Sequence, residues 1–179
     1  MEYTLEQLAY PIGKFEAPAQ PSEKDIAKWI RKLEHVPKWY DAIIENLDEE
    51  QLNTRYRPNG WTINQVIHHV ADSHMNAYIR IKLALTEDTP TIKPYAENLW
   101  AELPDVQAVP VNVSITLIHA LHRRWIEIFK NMTQADFVKC YFHPEQNRKV
   151  PLWEALAMYA WHGEHHFEQI NRLRQRRNW

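Results

Sequence analysis

Residues 159–166 read Y-A-W-H-G-E-H-H, and the spacing of their histidines allows metal chemistry. His162 and His166 stand four apart, so on a helix both imidazoles project from one face and can reach the same point. Imidazole is a common ligand for divalent transition metals, and two rings from one helix need a further donor from another. The stretch N-Q-V-I-H-H-V-A-D-S-H-M supplies three candidates, His68, His69 and His74. Periodicity favours His69, on the side that bears Val66, Val70, Ser73 and Ala77. His68 lies about 100 degrees round the helix, nearer Gln65 and Asp72, and His74 suits burial near Ile67 and Val70. Both remain open as alternatives on periodicity alone.

Three neutral imidazoles leave a divalent cation its full charge and at least one open position, as in catalytic rather than closed structural sites. Such a cation can bring the pKa of water to about 7 or deprotonate a thiol outright, so the same residues suit hydrolysis or thiol transfer. Asp72, about one turn after His69, is a candidate acceptor for a ligand's second ring N–H; a solvated helix-face carboxylate is the plain alternative. Asn76, Glu164 and Gln169 are weaker candidates for that role. The metalloprotease pattern H-E-x-x-H does not fit, because glycine follows His162 and Glu164 lies about 200 degrees round the helix. His165 points away from His162 and His166. His119 and His122 form a rival pair, read as surface or core-edge histidines beside Arg123 and Arg124, while His35 and His143 are isolated. Cys140 reads as an ordinary half-buried thiol. Gly163 costs about 1 kcal/mol against alanine inside a helix, a cost explained if a neighbouring helix packs closely there and accidental otherwise.

The elements that must position these groups are mostly helical, since three glycines are too few for a turn-rich β fold. A first long helix starts at Ser22 and carries Ile26, Trp29, Ile30 and Leu33 to Pro37, which either kinks it or splits it from 38–47. The second covers 62–86 and opens on Thr62 and Gln65, a reciprocal capping pair. The third covers about 113–131, with Ile115, Ile118, Leu121, Trp125, Ile128 and Phe129 at helical spacing. The last covers about 151–175, with Pro151 in its first turn. The proline-rich stretch 86–111 between the second and third is long enough to be a crossover or lid, and its Tyr95 and Trp100 could cover a substrate or anchor the connection. Residues 137–150 suit a short hairpin. The basic C-terminal tail suits the end of a helix.

Composition narrows the setting. One domain over 1–179 is expected from length. The formal charge of -2, from 21 basic and 23 acidic residues, offers no general attraction for nucleic acid or an anionic membrane. One cysteine cannot form an internal disulfide, the N-terminus has no secretion-signal pattern, and no apolar run suits a membrane span. The expectation is a soluble, cytoplasmic protein.

The segments G-W-T-I-N-Q-V-I-H-H-V-A-D-S-H-M-N and Y-A-W-H-G-E-H-H-F-E-Q-I, with I-K-P-Y and W-A-E-L-P-D between them, resemble the DinB superfamily, in particular its YfiT branch of provisionally assigned metal-dependent hydrolases. The resemblance implies an all-α four-helix bundle with one divalent ion per chain, zinc or nickel. By position, His69, His162 and His166 are the implied metal ligands. It also implies a homodimer in the cytoplasm and a small-molecule substrate; some members transfer low-molecular-weight thiols such as bacillithiol or mycothiol onto electrophiles. The expected function is therefore metal-dependent hydrolysis, with thiol S-transfer at the same site as the alternative. A non-enzymatic scaffold in which metal only ties helices together is a further alternative.

Overall fold

In the computed structural model, which describes residues 3–179, helices begin where a short polar side chain can satisfy the first free amides. Thr4 opens α1 (Leu5–Ala9), Ser22 opens α2 (Glu23–Ile44), Asp48 opens α3 (Glu49–Leu52) and Thr62 opens α4 (Ile63–Thr86). Each forms a reciprocal capping box with the residue three further on. The chain continues through α5 (Glu97–Trp100), α6 (Pro104–Ala108), α7 (Val111–Lys130) and α8 (Gln134–Phe137). Strands β1 (Cys140–His143) and β2 (Arg148–Pro151) pair antiparallel and lead directly into α9 (Leu152–Arg177).

Several boundaries differ from the sequence expectation. Pro37 does not split the first long helix, which runs through it to Ile44. Pro151 is the N-cap of α9 and the last residue of β2, so strand pairing holds its extended backbone just outside the helix. The short helices α1 and α3 were not anticipated, although their T-x-x-Q and D-x-x-Q boxes stand in the sequence. The basic tail acts beyond its own helix end, since Arg174 donates to the Ile43 carbonyl at 2.6 Å, at the C-terminus of α2.

The four long helices form the bundle. α2 packs chiefly on α9 and α7, and α4 chiefly on α7 and α9. The long connection after α4 folds back over that helix, with Asn64 donating to the Val106 carbonyl at 2.7 Å and Gln65 to the Ala101 carbonyl at 3.0 Å. Its start pairs with β1, where Ile92 donates to the Phe142 carbonyl at 3.1 Å.

The apolar core divides into two clusters. One contains Ala77, Ile81, Trp125, Phe129 and Leu156; the other contains Val66, Val70, Ile115, Ile118 and Ile170. Along α4 and α9 the boundary between them is occupied by buried His69, Ser73, His74, His162, His165, His166 and Gln169. A polar layer thus crosses the bundle interior, and polar groups withdrawn from water need partners. Among the described residues, no helix is long and apolar enough to cross a membrane.

Candidate metal centre

His69 of α4 and His162 and His166 of α9 meet in that layer. One ring nitrogen from each lies within 4.8 Å of the others, and the three side chains form the ligand-capable group found among the described residues. The residues are 4%, 9% and 8% exposed. The Nε2 atoms of His69 and His162 face each other at 3.2 Å. Two nitrogen lone pairs cannot share that space without a proton or a cation between them.

The outer nitrogens show which way the lone pairs point. Gln169 donates its amide Nε2 to the Ala9 carbonyl at 2.8 Å, which places Oε1 at the other end of the amide. That oxygen lies 2.9 Å from His166 Nδ1 and only accepts, so Nδ1 carries the proton and Nε2 of the neutral ring is free. His162 Nδ1 lies 3.1 Å from His74 Nε2. Trp61, brought in by the turn before α4, packs on His69 with ring centroids 4.6 Å apart.

Burial disfavours charge throughout the layer. It holds His69 and His162 well below the ordinary histidine value, reinforced by repulsion from His166, and lowers His166 itself to about 4. Neutral imidazoles are the form that binds metal, so donor type and charge at all three rings, and the tautomer at His166, fit a divalent cation.

Other residues singled out in the sequence take different places. Asp72 accepts from none of the three rings; burial and then repulsion from Asp105 raise it to about 6. The bonds expected of it are made by Gln169 and His74 instead. His68 is occupied elsewhere, 2.7 Å from Ser114 Oγ and 3.1 Å from the Val109 carbonyl. His119 pairs with Asp41 at 2.8 Å on the surface, whereas His122, expected at the surface or core edge, is 2% exposed inside the layer. Glu164 pairs with Lys32, away from the three rings. His165 stacks on Trp161 at 4.4 Å.

A cavity of about 540 Å³ opens beside the site and is lined by His69, His162 and His166 together with Arg57, Arg80, Glu97 and Asn98. His143, read from sequence as isolated, also lines it, because the hairpin carries β1 to that wall. Tyr95 and Trp100 pack against each other at a tilt, with ring centroids 4.5 Å apart, while Glu97 and Asn98 carry the long connection to the cavity. Arg57 and Arg80 were missed in the sequence; isolated arginines carry no spacing signal there.

A four-helix bundle with three inward imidazoles beside an open cavity has the architecture in which helical proteins place ion sites between facing helices. Residues 32–170 match the sequence profile of the DinB superfamily, and the chain belongs to that superfamily. It is 48% identical to a Bacillus mycoides (strain KBAB4) protein provisionally named a metal-dependent hydrolase, over 98% of this chain and 100% of the relative. A solved structure of YfiT from Bacillus subtilis, described as a probable metal-dependent hydrolase with an unusual four-helix bundle topology, matches with a TM-score of 0.94. Identity is 42%, covering 97% of this chain and 99% of that one. The mycothiol-dependent maleylpyruvate isomerase matches with a TM-score of 0.64 at 18% identity, over 81% of this chain and 60% of that one, a likeness of fold.

Proposed function

We propose that this chain is a metal-dependent hydrolase acting on a small molecule, with His69, His162 and His166 holding one divalent cation, zinc or nickel. The observation that carries the reading is the convergence of three buried, neutral ring nitrogens within 4.8 Å at the wall of an open cavity of about 540 Å³. That volume suits a small organic substrate. The provisional hydrolase names of close relatives support the same reading. A bound cation would supply Lewis acidity, enough to make water nucleophilic near neutral pH or to deprotonate a thiol.

The chain's own residues hold and orient. Gln169 and His74 direct the lone pairs of His166 and His162 inward, and Trp61 shields His69 on one side. Arg57 and Arg80 give the cavity cationic positions that can orient a polar substrate. The homodimer and the cytoplasmic location implied by the family resemblance belong to the same proposal.

The test is metal content of untagged protein purified without added metal. Wild type should carry about one equivalent, and His69→Ala and His166→Ala little of it. Loaded protein is then offered activated esters and amides, with and without a low-molecular-weight thiol and an electrophile. Turnover without thiol supports hydrolysis, and turnover only with thiol moves the assignment to S-transfer at the same site. Full metal loading with no exchange by outside ligands favours the scaffold alternative, and a chain that cannot be loaded removes the metal reading.

A further inference from the structure

Proline has no amide hydrogen, so Pro37 inside α2 cannot donate the helical bond to the carbonyl four residues before it, that of Leu33. The Leu33 oxygen is met instead from another helix, by His122 Nδ1 at 2.8 Å. A carbonyl only accepts, so His122 Nδ1 carries the proton and its Nε2 is an acceptor in the neutral ring. That Nε2 lies 2.8 Å from His74 Nδ1, which must therefore donate. His74 Nε2 is left as an acceptor, 3.1 Å from His162 Nδ1. His162 Nδ1 then carries its proton, and the His162 Nε2 lone pair points at His69.

We propose that the Leu33 carbonyl, left free by Pro37, and the rings of His122 and His74 form a positioning relay that locks His162 in the Nδ1–H tautomer with Nε2 aimed at the metal centre. The proposal deepens the functional reading above and rests on His162 being a ligand. The relay takes one residue from each long helix, in the order α2, α7, α4 and α9, and each step joins helices that pack together. Its interior rings are 2% and 0% exposed, so water has little access to compete for their nitrogens. The anchor is a backbone atom of a packed helix, which cannot change roles. Because each neutral imidazole has one donor and one acceptor, fixing one end fixes every ring in the line. His166 has a shorter equivalent through Gln169 to the Ala9 carbonyl, so each α9 ring ends on a separate backbone carbonyl.

The proposal is tested by assigning the ring nitrogens in protein labelled with ¹⁵N-histidine, zinc-free and zinc-loaded, and by zinc affinity in competition with a chelator. His74, His122 and His162 should each show a protonated Nδ1 and an unprotonated Nε2 before zinc is added. His122→Phe removes the acceptor for His74 and should weaken zinc binding by about 10- to 100-fold. His122→Gln can present an amide oxygen near the position of Nε2 and should stay within about threefold of wild type, a rescue that simple volume filling does not predict. An Nε2–H tautomer at His74 or His162 in zinc-free wild type overturns the proposal, as does a folded His122→Phe that binds zinc like wild type. If His122→Phe does not fold, the wild-type tautomers and His122→Gln decide the matter. Wild type that binds no zinc defeats the ligand reading, while the tautomers still judge the relay on their own.

Discussion

Two sets of histidines lie side by side in the buried layer and are held in opposite ways. His74 and His122 are closed: both nitrogens of each ring face a protein partner, at 2.8 to 3.1 Å. His69, His162 and His166 are convergent: they turn nitrogens toward one another with no protein donor assigned between them. Residue type and burial are shared, so neither distinguishes the convergent rings from the closed ones. What differs is whether the polar inventory of each ring is completed within the chain.

That contrast is tested most strongly by removing metal. If the convergent set holds zinc and free zinc is at about a thousandfold its Kd, binding contributes about 4 kcal/mol to stability, or roughly 10 °C in Tm for a chain of this size. Chelator should lower the wild-type Tm by that order and leave His69→Ala where it was. Equal shifts in the two proteins would mean the ion sits elsewhere.

Breaking the closed set should act on the fold itself. His74→Phe leaves His122 Nε2 and His162 Nδ1 buried without their partner, which should cost about 2–4 kcal/mol in urea unfolding of chelated protein. A variant as stable as wild type would show that these bonds contribute nothing net.

Acid should expose the closed set next. Burial lowers His122 to about 4 from an ordinary value of 6.5. The unfolded chain therefore binds the proton first as pH falls, so this contribution is complete above the unfolded value and is lost on acidification toward the folded one. Chelated wild type should lose about 2 kcal/mol on this account between about pH 7 and about pH 5, a loss that His122→Gln should lack. Parallel pH profiles for the two proteins would remove His122 from the transition.

The sequence made one set legible and hid the other. The four long helices could be read from capping pairs and apolar spacing, and α1 and α3 could have been, because Thr4–Gln7 and Asp48–Gln51 repeat the Thr62–Gln65 pattern. His162 and His166 were readable because their geometry is local to one helix. Periodicity favoured His69 over His68 and His74, and the family resemblance pointed to the same residue. The closed set depends on contacts between helices. His122 stands three residues from exposed His119, and nothing in that spacing tells that Pro37 frees a carbonyl opposite it. The proline was visible, but its consequence required the register of α2 against α7.

Gly163 should give the smallest effect, and one of opposite sign to its helix propensity. Alanine is favoured over glycine by about 1 kcal/mol in a helix interior. A Cβ at this position, however, would fall 2.7 Å from Val36 Cγ2 and 3.5 Å from His74 Cε1. Val36 is fully buried and β-branched, so it has little freedom to turn aside. Tyr40 ties the same turn to α2 by donating to the Gly163 carbonyl at 3.1 Å. Overpacking of this kind costs about 1–3 kcal/mol, so Gly163→Ala should be destabilised by about 1 kcal/mol net. In a Val36→Ala background, itself destabilised by the lost methyl groups, Gly163→Ala should cost less than it does in wild type, a coupling a double-mutant cycle can measure. The glycine lets α9 approach α2 while its neighbour His162 reaches His74, so the strain should fall on the contact with Val36 and leave zinc stoichiometry unchanged. A Gly163→Ala protein more stable than wild type would mean that α9 can shift away from Val36 freely, and that the close approach at this glycine is incidental to the fold.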